Sequence, residues 1–377
     1  MAKSRLSAAC LTALFIAVCG IWPAAGMLPG TGRAQGTEEN RTLAAFPSVS
    51  KAGDLERFPG SFEAWLNDHM PFRTELIRGQ SSIEIGLFGE IPSDKVIFGK
   101  EKPWLFNRSD DGEPLQTYKR MNLFTDSELD RITANLAEMS ADFSDAGIRL
   151  VLMISPDKEQ IYGEDYMPDS VLRIDGPGRT EQLIAALSRD LPELCVVYPA
   201  ERLREEKASR QVYYESDTHW NRIGAGIACE ELLEALEGES FPDRYHFREG
   251  TPKYGDLQKL VQLGREYDST EYEVVEAPSA RVDTAQEDAQ GEVVRERSTC
   301  PSGLPFSIYL SGDSFRWNLA RFLQDGVRDV TVGSRYYLDL EDVVLQEPDV
   351  FVYMIAERYL HELDRIPGYN TQAMTIE

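Results

Sequence analysis

Between Phe124 and Ile355 the apolar positions alternate between two spacings, one proper to helices and one to buried strands. Leu129, Ile132, Leu136, Met139 and Phe143 recur at intervals of three and four, which makes one face of a helix apolar. Thr125 and Glu128 stand just ahead of it at the spacing of a capping box, and Gly147 ends it. Ile148 to Ile154 is then a near-continuous apolar run, as a strand covered on both faces should be. The alternation continues with a helix predicted over 178–191, a buried strand over 194–198 and a short charged helix over 200–208. Asn221 is placed to cap a further helix, whose inward side is Ile223, Ile227, Leu232 or Leu233, and Leu236. Strands follow at 306–310, 327–332 and 349–355, and a helix over 315–323 turns Leu319 and Phe322 inward. Strands that alternate with helices build a parallel sheet with right-handed crossovers. The fold class is therefore α/β, a doubly wound parallel sheet flanked by helices.

The pattern is weaker on either side of this block. Lys3 and Arg5 precede an apolar run from Ala8 to about Leu28, broken by Pro23, with small residues at Ala24-Ala25-Gly26. This reads as a signal peptide, or as a membrane anchor, since its length nears the ~20 residues that cross a bilayer. Either one puts the bulk of the chain outside the cytoplasm. Residues 30–36 are a Gly-rich linker. Ser61 is expected to cap a helix carrying Phe62, Trp65 and Leu66, and a second helix is expected over 73–87. Lys95–Phe98 and Trp104–Phe106 read as a hairpin. Residues 267–299 are acidic and aperiodic, an exposed excursion with one strand near 272–275. The organisation expected is a targeting segment at 1–28, a linker and helical and hairpin extension at 29–123 packing on the core, and the main domain at 124–377.

Charge and cysteine content narrow the function classes. A formal net charge of -25 argues against nucleic acid, which needs clustered Lys and Arg. Beyond the targeting segment only Cys195, Cys229 and Cys300 remain, with no CxxC pair, so neither a zinc site nor a disulfide framework is expected. Four histidines without an HxH or HxxxH pair leave little for a metal, and no cofactor is implied.

Two short stretches carry chemistry. Asp217-Thr218-His219-Trp220 lies just before a predicted helix, and Gly312-Asp313-Ser314-Phe315 follows a predicted strand. A serine hydroxyl needs a base to take its proton, and a base needs an acid to fix its tautomer. Ser314, His219 and Asp217 supply these three parts. In a parallel sheet ligands gather at the carboxyl ends of strands, where Ser314 falls. The N–H groups opening its helix are unpaired by nature and suited to an oxyanion. Asp217 can reach the imidazole N–H only if its loop turns back on itself. The plainer roles are an ordinary strand-to-helix turn and a hydrogen-bonded loop histidine. His69, near the end of the first helix, has a plainer role in bonding backbone carbonyls.

The combination resembles the SGNH-hydrolase-like family of the alginate O-acetyltransferases and the related DHHW group. The likeness rests on Glu39–Leu43 with Phe46-Pro47, Asn67-Asp68-His69 with Pro71-Phe72-Arg73, Lys95–Lys100 before Trp104-Leu105-Phe106, Pro156-Asp157-Lys158, Asp217–Trp220, Gly312–Phe315 and Pro348–Leu360. The acid and base precede the serine, as in the acetyltransferase branch. Asn221 departs from the Thr or Ser that often follows the Trp. The resemblance implies a catalytic SGNH-like domain in which Ser314 is the nucleophile, His219 the base and Asp217 the acid. It implies transfer of an acetyl group through an acyl-serine to a polysaccharide hydroxyl in the cell envelope, with the donor delivered by a membrane acyltransferase partner. A carbohydrate acetylesterase, or a non-catalytic protein that binds glycans or a partner, is the alternative. Arg335, Tyr336, Trp220 and Arg358 are the candidate substrate-binding residues, with Trp317 and Tyr337 as further aromatic platforms. Lys158 and Tyr162 are read as braces of the loop near the site.

Overall fold

In a computed structural model of the chain, residues 44–48, 54–68, 79–80, 94–238, 245–275, 281–289 and 292–366 are described. The targeting segment, the Gly-rich linker and His69 lie outside them, as does the expected helix over 73–87 except for residues 79–80, which are helical. The chain divides into two compact units, residues 1–92 with 261–264, and residues 93–260 with 265–377. In the smaller unit, helix α1 (Asp54–Asp68) carries Phe62 and Trp65, and Phe46 meets Trp65 edge-on with centroids 4.9 Å apart. Ser61 was expected to cap this helix. It lies inside it instead, because the helix begins seven residues earlier and runs through Pro59.

The larger unit is built on a seven-stranded sheet. Its first elements are a two-stranded hairpin, β1 (Val96–Phe98) and β2 (Leu105–Asn107), then α2 (Pro114–Lys119) and α3 (Asp126–Asp145). The capping box forms: the Thr125 hydroxyl accepts from the Glu128 N–H, and Glu128 reaches back to the Thr125 N–H at 2.8 Å. There follow β3 (Arg149–Ser155), α4 (Lys158–Tyr166), α5 (Arg179–Asp190), β4 (Cys195–Val197), α6 (Ala200–Glu206) and α7 (Arg222–Glu237). Next come β5 (Phe247–Glu249), α8 (Asp256–Leu260), β6 (Tyr272–Val274), β7 (Val282–Ala289), β8 (Glu292–Thr299) and β9 (Leu304–Gly312). The last are α9 (Arg316–Gly326), β10 (Val327–Ser334), α10 (Leu340–Leu345), β11 (Val350–Ala356) and a 3-10 turn over Glu357–Arg365. The strand order is β4-β3-β11-β9-β10-β8-β7, and the first five are parallel.

The continuous apolar runs follow from this layering. Along β3 and β11, Val151, Met153, Val352 and Met354 face one layer, with Ile223 and Ile227 of α7 and Leu319 and Phe322 of α9. The alternate residues Leu150, Leu152, Ile154, Phe351, Tyr353 and Ile355 face the other, with Ile132, Leu136, Met139 and Phe143 of α3 and Leu183 and Leu187 of α5. Each side chain of this size gains about 1.5–3 kcal/mol on full burial. Every residue of β11 is buried, as befits the middle one of the five parallel strands.

The expected excursion over 267–299 is more ordered than its charge suggests. Its strand at 272–274 forms, paired with β5, but β7 and β8 then make an antiparallel hairpin that extends the sheet past β10. Strands at the margin need backbone partners more than apolar side chains, so polar sequences suffice there. Cys195, Cys229 and Cys300 form no disulfide among the described residues. Among the described residues no helix is long and apolar enough to cross a membrane.

Four parallel strands end on the same edge, followed by Asp157, Asp313, Arg335 and Glu357. That edge is where open parallel sheets place their ligands.

Candidate active site

Ser314 follows β9 directly and is exposed, while its neighbours Asp313 and Phe315 are buried. Asp313 fixes the turn. Its Oδ1 accepts the Phe315 N–H at 3.1 Å and its Oδ2 accepts the Ala356 N–H at 2.6 Å, tying the serine turn to the end of β11. The Arg316 guanidinium donates to the carbonyls of Gly312 and Asp313 at 3.0 and 2.9 Å.

The loop of the acid and base does turn back on itself. Tyr213 and Trp220 form an antiparallel bridge, and the Tyr214 N–H donates to the His219 carbonyl at 3.2 Å. Asp217 Oδ1 accepts both the His219 N–H at 3.0 Å and Nδ1 of its ring at 2.7 Å. On the far side of the ring, Nε2 lies 2.7 Å from Ser314 Oγ. With Nδ1 protonated toward Asp217, Nε2 is free to accept the serine proton. The structure thus brings Asp217, His219 and Ser314 into one hydrogen-bonded line from stretches about a hundred residues apart.

Asp217 is almost fully buried, and burial alone would raise its pKa. The hydrogen bonds and charge of His219, with the ammonium of Lys253, hold it well below the usual carboxylate range. Its second oxygen accepts the Asp256 N–H at 3.1 Å and lies 3.5 Å from Lys253 Nζ. Asp256 sits 3.6 Å from His219 Nδ1, and it accepts the Thr218 N–H and hydroxyl at 2.8 and 2.6 Å. A Cβ added at Gly255 would fall 2.1 Å from the Ser216 carbonyl, so a glycine is needed for Asp256 to approach. Asp217, His219 and Asp256 are close enough together to ligate a cation. The three side chains, however, are already engaged with Ser314, Thr218 and the Lys253 ammonium, which suits a proton relay better than a metal.

Beneath the loop, the Lys158 ammonium is fully buried and donates to the carbonyls of Tyr214, Glu215 and Asp217 at 3.3, 2.8 and 2.7 Å. Burial pushes its pKa down to about 8. Tyr162 receives the Val212 N–H at 3.0 Å. Both residues sit where a brace of the loop was expected.

The candidate binding residues divide differently. Trp220 borders the cleft at Ser314 but is 0 % exposed; its Nε1 donates to the Phe315 carbonyl at 3.1 Å, joining the base loop to the serine turn. Arg358 is drawn inward by Asp157 at 2.6 Å and lies over the Phe315 ring. Arg335 is likewise buried, paired with Glu362 and held between the rings of Tyr336 and Tyr359. Tyr336 is exposed but does not line the cleft at Ser314. That cleft, of about 270 Å³, is walled instead by Lys253, Tyr254, Asp256, Lys259, Trp317 and Asn318. Except for Trp317, these residues are not foreseen from the sequence. The Gly255-Asp256 pair opening a short helix is the one local signal that points there.

The serine turn also offers fewer free donors than a bare helix start. The Phe315 N–H is taken by Asp313 Oδ1 and the Arg316 N–H by the Asp313 carbonyl. The Ser314 N–H has no acceptor among the described residues, and it is the one left for an oxyanion.

Residues 96–335 match the family described as SGNH hydrolase-like domain, acetyltransferase AlgX. The chain is 27% identical over 357 residues to the "Probable alginate O-acetylase AlgJ" of Pseudomonas syringae pv. tomato, covering 85% of this chain and 83% of that protein. It is 23% identical over 332 residues to the protein of the same name from Azotobacter vinelandii, covering 80% and 78%. Among solved structures, a DHHW family protein from Eubacterium siraeum aligns over 72% of this chain and 95% of its own, with a TM-score of 0.53 and 11% identity. Bacillus cereus PatB1 aligns over 72% and 99%, with a TM-score of 0.55 and 11% identity. These two likenesses show the fold alone. The chain belongs to the SGNH hydrolase-like acetyltransferase family, and that relation supports an O-acetyltransferase-type function.

Proposed function

We propose that the protein moves an acetyl group through an acyl-Ser314 intermediate onto a polysaccharide hydroxyl of the cell envelope. The observation that carries this is the unbroken relay from Asp217 through His219 to an exposed Ser314, with both links at 2.7 Å. His219 Nε2 takes the Ser314 proton as Oγ attacks the donor's acetyl carbon. The oxyanion forms beside the Ser314 N–H, and the leaving group departs with the proton from Nε2. Asp217 holds the ring in register and stabilises the imidazolium. In the second half the acceptor hydroxyl gives its proton to Nε2 and its oxygen displaces Ser314. The leading segment with Lys3, Arg5 and its apolar run supports a place outside the cytoplasm, secreted or anchored. A membrane acyltransferase delivering the donor is the partner this scheme calls for.

Hydrolysis onto water uses the same first half, and the exposure of Ser314 gives water access to it. Incubation with an acetyl donor and envelope glycans of the source organism separates the two outcomes. Acetylated glycan, detected by mass spectrometry and lost in Ser314→Ala, is expected. Loss of acetate from native acetylated glycan, with none gained, would make the protein an esterase.

A further inference from the structure

Trp317 stands three residues after Ser314, in the first turn of α9, and is 46 % exposed on the wall of the same cleft. Its indole is not loose. The guanidinium of buried Arg316 lies 4.1 Å from the ring centroid and covers one face. Arg316 leaves the opposite face uncovered from its own side, and the exposed part of the residue belongs to the cleft wall. Beside it, Asn318 spends one amide N–H on the Trp220 carbonyl at 3.1 Å, keeping its second N–H and its oxygen for hydroxyls. The cleft's 270 Å³ falls just short of the roughly 300 Å³ at which pockets for drug-sized ligands begin, which suits one sugar ring.

We propose that Trp317 and Asn318 form the acceptor subsite: one pyranose ring stacks on the free face of the indole and presents a hydroxyl to His219. The inference rests on the acetyl-transfer reading and specifies how that transfer is kept from water. The sugar O–H gives its proton to His219 Nε2, its oxygen bonds to the acyl carbon, the Ser314 Oγ–C bond breaks, and Oγ regains the proton. Water can do the same, but only the stacked ring arrives with its orientation already fixed.

The test uses the full chain, 4-nitrophenyl acetate as donor, and two probes, mannopentaose and a mannuronate pentamer. The readout is the ratio of acetylated glycan to free acetate, which does not depend on how fast Ser314 is acylated. Trp317→Ala should lower that ratio about tenfold, the scale of one lost aromatic stacking contact, while Trp317→Phe stays within about threefold. An equal ratio in wild type and Trp317→Ala overturns the proposal. A binding measurement keeps the two readings apart. Tryptophan fluorescence of Ser314→Ala should change on adding the probes, and the change should vanish in Ser314→Ala/Trp317→Phe. That change, with no acetyl ever found on wild-type Ser314, would keep the subsite and sink the transfer reading. Acetylated Ser314 with no fluorescence change would sink the subsite alone.

Discussion

Replacing Asp217 with asparagine keeps the shape of the side chain and spoils its chemistry. Four donors converge on the carboxylate: the His219 N–H and Nδ1–H on one oxygen, and the Asp256 N–H and Lys253 ammonium on the other. An asparagine offers a single oxygen. If it faces His219, the NH2 is pressed against the Asp256 N–H and Lys253. If the NH2 faces His219, Nδ1 must become the acceptor, the ring proton moves to Nε2, and Ser314 loses its base. Either way the charge that steadies the imidazolium is gone. In the serine-protease triad the same exchange costs about 10⁴ in kcat, equivalent to about 5.5 kcal/mol at 1.4 kcal/mol per tenfold. A loss of roughly 10³ to 10⁴ is expected here, because Asp217 meets Nδ1 at 2.7 Å in the same tautomer-fixing role. Asp256 stands further off, at 3.6 Å, and its carboxylate is 41 % exposed, so Asp256→Asn should cost only about tenfold. The assay is release of 4-nitrophenol from 4-nitrophenyl acetate, with a thermal melt to confirm folding. A folded Asp217→Asn protein within about tenfold of wild type would mean that Asp217 does not set the tautomer of His219.

Other expectations concern the buried charges below the site. Lys158→Met leaves the carbonyls of Tyr214 and Asp217 without their charged donor, at ~1–3 kcal/mol each. Calorimetry should show Tm falling on the order of 10 °C, and an unchanged Tm would remove Lys158 from the account. Glu159 is pushed up to about 7, by burial and then by Asp157. A raised carboxyl is at its most favourable below its unfolded pKa, and that stability is lost as pH rises from about 4.3 through 7. Glu159→Gln can still accept the Asn107 N–H, so it should gain on wild type between pH 5 and pH 8 by on the order of 3 kcal/mol. A stability difference between the two that does not vary with pH would contradict this.

What the sequence disclosed was the part with regular spacing. The strand at Ile148–Ile154 and the helix bearing Ile132, Leu136 and Met139 were legible because each has one physical task, burial against a neighbouring layer. The hairpin β7–β8 was hidden because it lies at the margin of the sheet, where Arg295 and Arg297 stand as readily in a strand as in a loop. Charged side chains were the least legible of all. Arg335 and Arg358 read as cleft residues, since a sequence displays a charge and not the carboxylate waiting for it, Glu362 for one and buried Asp157 for the other. Trp220 read as a sugar platform, and no spacing showed that its indole N–H would also pin the two motifs together. Asp256, 39 residues after Asp217, had no spacing to tie it to the relay.

Everything proposed for the relay requires that Ser314 itself carry the acetyl group. The direct measurement is rapid acid quenching of the protein during turnover of an acetyl ester, followed by peptide mass spectrometry. The account predicts an acetyl adduct on the peptide containing Ser314. That adduct should be absent in Ser314→Ala and reduced by about 10³ in rate in His219→Ala. No adduct in the wild type, or an adduct elsewhere that persists at the wild-type rate in Ser314→Ala, would contradict it.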